Sequence, residues 1–594
     1  MTDNYRDSIE QLLLPAVQTP GQYIGGEFNE IKKDGPIDVS VALAFPDTYA
    51  LGMSHLGLGI LYEALNQMDK VSAQRVYCPW LDAEKIMREN NIPLFAWETR
   101  DRIKDFDLLG ITLQHELAYT NVLYLLDLAD ITFRSVDRKE DEPIVIGGGP
   151  MADSCEPVAE FFDMIILGDG EEALPAVVEA FRKLKAAGTS RKDILLSIAK
   201  QFDFVYVPQF YHFEYNPDGT IKQMQVDHDL PRCIKRAAVM DLENAVFPTK
   251  PLVANTETPH DRIAIEVMRG CPGRCAFCHA GYTKGKLRWR SVDKICDIAW
   301  ESFLNTGHDT VSLLSLSTSD YPNLKELVPK IYGKFAGCHV GVSLPSLRVD
   351  KQLKDVPATI TGTRREGLTI AVEAASARMR KAIGKRVTDD DLMATLEEAY
   401  KSGWKKVKLY FMIGFPGETE EDIDGIIELG CEISRLGKKV FGAAATVSVA
   451  ISWLVPKAHT PFAWIPQQTV DYFMAARYQL FRKQESNRRG VCLNLKLHHT
   501  DGSRLEGVFA RGDRKLSAVL ERVYELGAKF DSWRECFDVQ LYNQAFEDCG
   551  IDPDFYSCRQ RPQEEILPWD HLAGDNKEAL YRRYEKIMEM LDSE

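Results

Sequence analysis

Cys271, Cys275 and Cys278 stand in the run Glu266-Val-Met-Arg-Gly-Cys-Pro-Gly-Arg-Cys-Ala-Phe-Cys-His279. Three thiols at C-x3-C-x2-C spacing can ligate metal from one tight loop. A 4Fe–4S cubane ordinarily takes four protein ligands. Three leave one iron open to hold and reduce a small molecule, much as an open position separates catalytic from structural metal sites. A zinc knuckle with His279 as fourth ligand is the alternative. Such sites usually pair two short ligand turns, and no second C-x-x-C exists in the chain.

The loop needs a rigid base. Residues 263–268 predict a buried strand, which sets the cysteines at a strand's C-terminal end, where (β/α) proteins build active sites. Further strands are predicted over 310–316, 339–344, 368–373, 406–413 and 444–453, alternating with helices across a core of 261–466. Glu373 ends an otherwise apolar strand, and a buried carboxylate needs a partner, either a ligand or a structural ion pair. Turns at Leu316-Ser-Thr-Ser-Asp320 and Ser343-Leu-Pro-Ser-Leu-Arg-Val-Asp350 lie at other strand ends. Upstream, residues 36–190 alternate strands (39–45, 107–112, 143–147, 164–168) with helices (56–68, 116–128), the rhythm of a doubly wound parallel domain. Its turns at Gly147, Gly148, Gly168 and Gly170 let backbone approach a ligand closely beyond the strand ends. Neither a phosphate loop nor a dinucleotide fingerprint accompanies them. Residues 1–35 read as a lead-in segment and 191–260 as a linker with a hairpin-like turn near 213–219. Residues 467–594 read as a mostly helical extension that covers the barrel, with Cys536, Cys549 and Cys558 too dispersed for a compact ligand turn.

The cysteine spacing, with Phe277 just before the third cysteine, matches the signature loop of the radical S-adenosylmethionine (SAM) superfamily. Lys408-Leu-Tyr-Phe-Met-Ile-Gly-Phe-Pro-Gly-Glu-Thr419 resembles that superfamily's fifth-strand segment. Taken whole, the chain resembles a large bacterial branch with an N-terminal cobalamin-binding-like domain and a C-terminal extension. The resemblance implies an α/β fold: a doubly wound parallel sheet, then a central partial (β/α)6 barrel, then a mostly helical extension. It implies a 4Fe–4S cluster on Cys271, Cys275 and Cys278, SAM bound at the open iron, and an external electron donor such as flavodoxin or ferredoxin. It further implies SAM contacts from Phe277, Ser317, Thr318, Ser319, Glu373, Lys408, Tyr410 and either Lys385 or Arg386. Reduction would split the C5′–S bond and give a 5′-deoxyadenosyl radical that takes hydrogen from a substrate. Cobalamin at the glycine turns is a further implication, set against a vestigial or purely structural domain. The D-x-H-x-x-G motif that ligates cobalt is absent, since Met53 stands at its aspartate and glycine follows His55 two positions on, not three. His459 reads either as a neighbour of the substrate cavity or as a satisfied structural residue.

Lys and Arg number 72 against 88 Asp and Glu, a net charge of −16. That disfavours broad nucleic-acid binding, which needs basic surface. Arg269, Arg274, Lys284, Lys286, Arg288 and Arg290 make the cysteine region locally cationic, either to attract an anion or as a solvated loop. An odd count of 13 cysteines, with no basic-then-apolar leader, predicts reduced thiols in the cytoplasm. No stretch is long and apolar enough to predict a membrane span. Three functions compete: cobalamin-linked radical methyl transfer or a related carbon modification, a cobalamin-independent radical modification of RNA or protein as in methylthiotransferases, and a non-catalytic iron–sulfur sensor.

Overall fold

The structure, a computed structural model, describes residues 4–343, 368–574 and 576–593. Strands β1 (Val39–Phe45), β2 (Val71–Tyr77), β3 (Leu108–Thr112), β4 (Ile144–Gly148) and β5 (Met164–Ile166) form a parallel sheet in the order β2-β1-β3-β4-β5. β1 is buried at nearly every position, as expected of a parallel strand covered on both faces. Helices α1 (Leu56–Asn66), α2 (Tyr119–Leu128) and α3 (Gly170–Ala186) supply part of that cover. The strand order reverses between β1 and β3, and ligands of such sheets bind in the crevice beyond that switch point. β6 (Val205–Tyr206) adds to the sheet edge antiparallel to β5, so part of the expected linker completes this domain. The expected hairpin is present as β7 (Tyr211–Tyr215) and β8 (Ile221–Val226).

The core begins with β9 (Ile263–Glu266), β10 (Met268–Arg269), β11 (Arg288–Trp289), β12 (Thr310–Leu314) and β13 (Gly341–Ser343). β9, β12 and β13 make one parallel sheet, with helix α4 (Val292–Thr306) packed on it. A second parallel sheet runs β14 (Leu368–Glu373), β15 (Lys406–Ile413), β16 (Thr446–Trp453) and β17 (Cys492–Leu497). The fold is thus mixed α/β with parallel sheets, and no closed barrel forms among the described residues. The turn expected after Ser343 lies outside the described residues from 344 onward. β17 falls beyond residue 466, where the core was expected to end. Its sequence, Cys492-Leu-Asn-Leu-Lys-Leu497, is a short period-two pattern in a region otherwise helical by periodicity. Helix α5 (Glu420–Phe441) opens with a capping box of Thr419 and Asp422, which satisfies two otherwise orphaned N–H groups. It buries Ile423, Ile426, Ile427 and Ile433 against the outer face of the second sheet.

Helix α6 (Val470–Ser486) lies on α5. The extension was expected to cover the barrel, but much of it packs elsewhere. Helix α7 (Leu516–Glu525) lies on α2, and the core of the first domain includes Leu505, Val508, Phe530 and Tyr542. The Trp533 indole N–H donates to Asp47 at 2.9 Å. A helical pattern reveals an apolar face but not which neighbour it meets. Helix α8 (Lys577–Ser593) returns to the core and packs near 377–382 and 461–464.

Candidate active site

The cysteine loop leaves the core through a narrow neck, where β10 and β11 pair Met268 with Trp289 and Arg269 with Arg288. Gly270 adopts φ of 90° there, and a Cβ would sit 3.1 Å from the Lys286 carbonyl oxygen. Within the loop the Ala276 N–H donates to the Ile383 carbonyl at 2.9 Å, and that of Cys278 to the Cys275 carbonyl at 3.1 Å. All three thiols are half-buried. Burial pushes the Cys278 thiol up to about 11, and Cys275, Cys271 and Glu373 are close enough to add to the rise. Among the described residues no three His, Cys, Asp or Glu side chains stand at metal-holding geometry. As a donor set, three neighbouring thiols on one loop fit a 4Fe–4S group with one open iron. His279, the ligand a zinc knuckle would require, is hydrogen-bonded through Nε2 to Asp153 at 2.9 Å.

Glu373 ends β14 with φ of 72°, and the β14–β15 register shifts between Ala371 and Glu373. Such a conformation costs on the order of 1–3 kcal/mol and persists where surroundings hold it. Here it sets Glu373 3.2 Å from the Lys385 ammonium. Of the two cations expected to hold a carboxylate, Lys385 therefore turns to the site, while Arg386 is exposed. The Lys408 ammonium donates to the Tyr410 hydroxyl at 2.7 Å. Phe277 lies 6.1 Å, centroid to centroid, from Phe415, in an apolar seam with Ala276, Met379 and Trp464. Ser317, Thr318 and Ser319 are buried in a tight turn. The Ser317 hydroxyl donates to Asp320 at 2.6 Å and that of Thr318 meets Ser315 at 3.1 Å, so these two hydroxyls shape the turn.

A cavity of about 410 Å³ lies between the two domains. One wall is the C-terminal ends of β1, β3, β4 and β5 with the start of α1. The other is Glu266, Met268, Arg269, Gly270, Lys284 and Ser315. Gly147, Gly148, Gly168 and Gly170 all line it, but for different reasons. Gly168 has φ of 100°, and a Cβ there would come 2.1 Å from the Ala237 carbonyl oxygen, so the crossing of the linker demands this glycine. A Cβ on Gly148 would meet ordinary contact at 3.7 Å. His55, also on the wall, accepts the Leu58 N–H through Nδ1 at 3.1 Å, and burial pushes its ring down to about 4. It acts as a neutral cap of α1.

The cationic cluster read from sequence is mostly architecture. Arg269 meets Asp169 at 3.1 Å, Glu171 at 2.6 Å and Glu266 at 2.8 Å, and Arg288 meets Asp169 at 2.7 Å. Arg290 is fully buried and donates to the Glu266 carbonyl at 3.2 Å and to that of Leu242. Lys284 is half-buried on the cavity wall, and Arg274 and Lys286 are exposed. Buried charges of this kind survive only when paired. Asp153 went unnoticed in the sequence: it binds His279, meets Arg236 at 2.8 Å, and offers its carbonyl to His459 at 2.8 Å. Burial opposes its ionisation, but His279 and Arg236 hold its carboxyl well below the usual range. His459 is accordingly buried and satisfied. Arg583 of α8, which donates to the Arg274 carbonyl inside the cysteine loop, also carried no sequence signal, being 309 positions away.

A family profile described as "Radical SAM proteins, N-terminal" matches residues 57–208, and one described as "Radical SAM superfamily" matches 265–430. "Uncharacterized protein MJ0966" of Methanocaldococcus jannaschii is 26% identical over 86% of this chain and 97% of its own length. "Ribosomal protein uS12 methylthiotransferase RimO" of Methylobacillus flagellatus is 22% identical over 50% of this chain and 69% of its own. Among solved structures, the "Cobalamin-dependent S-adenosylmethionine radical enzyme OxsB with aqua-cobalamin bound" covers 93% of this chain and 80% of its own, with 13% identity and a TM-score of 0.45. No helix among the described residues is long and apolar enough to cross a membrane. With both profiles matched and the three cysteines set in the second of them, the chain belongs to the radical SAM superfamily and is a radical SAM enzyme.

Proposed function

We propose that this enzyme is a cobalamin-linked transferase that modifies an unactivated carbon, most simply by methylation. The observation that carries the reading is the cavity at the β1/β3 switch point, walled by glycine turns on one side and by the neck of the cysteine loop on the other. A cofactor seated there would lie between the first domain and the cluster loop. When bound, the cluster and SAM supply a 5′-deoxyadenosyl radical, and cobalamin a transferable methyl group. The chain's own residues hold and orient. Cys271, Cys275 and Cys278 ligate iron, Lys385 offers an ammonium to the SAM carboxylate, and Glu373 offers an acceptor to its amino or ribose donors. The paired charges around Arg269 fix the cavity wall, and the apolar seam of Phe277, Phe415 and Trp464 excludes water from the loop's far side.

Anaerobic reconstitution should load about four irons per chain and yield 5′-deoxyadenosine with SAM and dithionite. Cobalamin should co-elute on gel filtration with a shifted visible spectrum. A fully loaded protein that makes no 5′-deoxyadenosine overturns the catalytic reading. An active protein that never retains cobalamin favours a second reading, methylthio transfer to RNA or protein, which the similarity to the RimO relative supports.

A further inference from the structure

Two arginines of the extension, Arg511 and Arg561, are 0% and 2% exposed. Arg511 follows the helix Thr500–Phe509, and Arg561 follows the helix Pro553–Ser557. Both guanidinium groups hold backbone. Arg511 donates through Nη1 to the Ile465 carbonyl at 2.6 Å and through Nη2 to that of Ser557. Arg561 donates through Nη2 to the Tyr556 carbonyl at 2.6 Å. Their other N–H groups are left over. Nε of Arg511, and Nε and Nη1 of Arg561, are buried and meet no acceptor among the described residues.

Both side chains line one small cleft with Arg559, Asp513 and Glu565, three guanidinium groups against two carboxylates. The carboxylates are already engaged. Glu565 accepts from Arg559 with both oxygens, one at 2.6 Å. Asp513 accepts the Tyr556 hydroxyl at 2.9 Å and the Lys515 backbone N–H at 3.0 Å, and it meets the Lys515 ammonium at 3.3 Å. Arg511 and Arg561 are thus left without an ion pair among the described residues. Burial pushes the Arg561 guanidinium down to about 9, with Arg559 adding repulsion and Glu565 offsetting part of it. Burial likewise lowers Arg511, and Arg561 adds repulsion there. A guanidinium does not give up its proton in proteins, so proton loss does not relieve the pair. An unpaired buried cation is costly, and what the cleft lacks is negative charge.

Its size limits what can supply that charge. The free volume is about 10 Å³, room for one particle near the size of water. One side is the turn of the β7–β8 hairpin at Gly219, Thr220 and Ile221, and Ile221 bridges Ile566 of the extension. An oxyanion of several atoms would have to part the hairpin from the extension, whereas a single-atom anion would not.

We propose that Arg511 and Arg561 bind a monatomic halide, chloride, where the β7–β8 hairpin, the core segment at Ile465 and the extension meet. The ion would fasten these three together. The site shares no lining residue with the large cavity between the domains, so it stands apart from the catalytic reading.

The test is thermal melting of the full-length protein at constant ionic strength as sodium chloride replaces sodium gluconate, whose anion is too large for the cleft. The midpoint should rise saturably, by about 2 °C. Bromide should replace chloride, and formate should not. Arg561→Met, an apolar replacement of similar volume, should abolish the chloride dependence. Crystals of the wild-type protein grown in sodium bromide should show an anomalous peak between the two side chains, a readout that stands even if the variant does not fold. No saturable chloride effect together with no bromide peak would mean that water serves these N–H groups, and overturns the proposal. A chloride effect that persists undiminished in folded Arg561→Met overturns it equally. Stabilisation by formate and not by either halide overturns the assignment to a single-atom anion.

Discussion

Two charged regions flank the cysteine loop and differ in kind. At the junction of the domains, buried Asp169, Glu171 and Arg288 and partly buried Glu266 and Arg269 are paired at 2.6–3.1 Å. On the inner face of β15–β17, Lys408 is half-buried and Lys496 exposed, and neither has a carboxylate partner among the described residues. A buried charge with its partners in place is part of the framework, because removing either side strands the other in low dielectric. A charge left without one keeps its contact with water, so removing it costs little. Composition left the junction's cations open between an anion site and a solvated loop, and in the fold Arg269 and Arg288 are instead paired with carboxylates.

The largest effect should fall on the loop between the two regions. Cys278→Ala should abolish 5′-deoxyadenosine formation and leave less iron after reconstitution, read by visible absorbance and iron assay. A variant that keeps full iron and activity would remove the cysteine from the ligand set. Next, Asp169→Ala should destabilise the protein by about 3–5 kcal/mol, since it leaves Arg269 and Arg288 partly uncompensated. Lys496→Gln should change stability by less than about 0.5 kcal/mol. Comparable losses in denaturant melts would erase the distinction between a paired framework charge and a hydrated one.

Much of this was legible in the sequence where one short segment carries both the chemistry and its support. The cysteine loop, its strand, and the strands at Leu368–Glu373 and Lys406–Ile413 follow from local pattern, and the glycine turns do line a cavity. What escaped was set by contacts distant in sequence. Asp153 is bonded to His279 from 126 positions away, and His459 to Asp153 from 306. Gly168 is fixed by Ala237 and not by a ligand. Lys385 and Arg386 are neighbours with equal charge, and only the turn of the backbone beyond α-helical Ala377–Ala382 decides which meets Glu373. The extension's apolar helix faces did not announce that α7 would lie on α2.

A titration can sharpen the same contrast at the rim of the second sheet. Burial pushes Glu418 up to about 7, although it accepts the Gly414 N–H at 2.7 Å and the Tyr472 hydroxyl at 2.9 Å. With the folded pKa raised above an unfolded value near 4.5, the proton's stabilising contribution is complete below about 4.5 and is lost as pH rises through 7. The linked change is on the order of 3 kcal/mol. Glu418→Gln should flatten that stretch of the stability–pH curve and make the variant relatively more stable at pH 8 than at pH 5. A parallel curve for wild type and variant would mean that the carboxyl is not held protonated.

The smallest expected effect concerns the clamp on the cysteine loop. Arg583 of α8 donates to the Arg274 carbonyl, and its guanidinium lies 5.7 Å from the Tyr282 ring centroid, whose hydroxyl bonds the same carbonyl at 3.1 Å. Neither group touches a thiol, so Arg583→Ala should leave cluster assembly intact while loosening the loop. A few-fold faster loss of iron to a chelator is expected, with a global stability change of about 1 kcal/mol or less. Arg583→Lys should recover part of the retention. If iron loss is unchanged in the alanine variant, α8 is only a cover for the apolar seam, and the loop is held by its neck and by the Ala276–Ile383 bond alone.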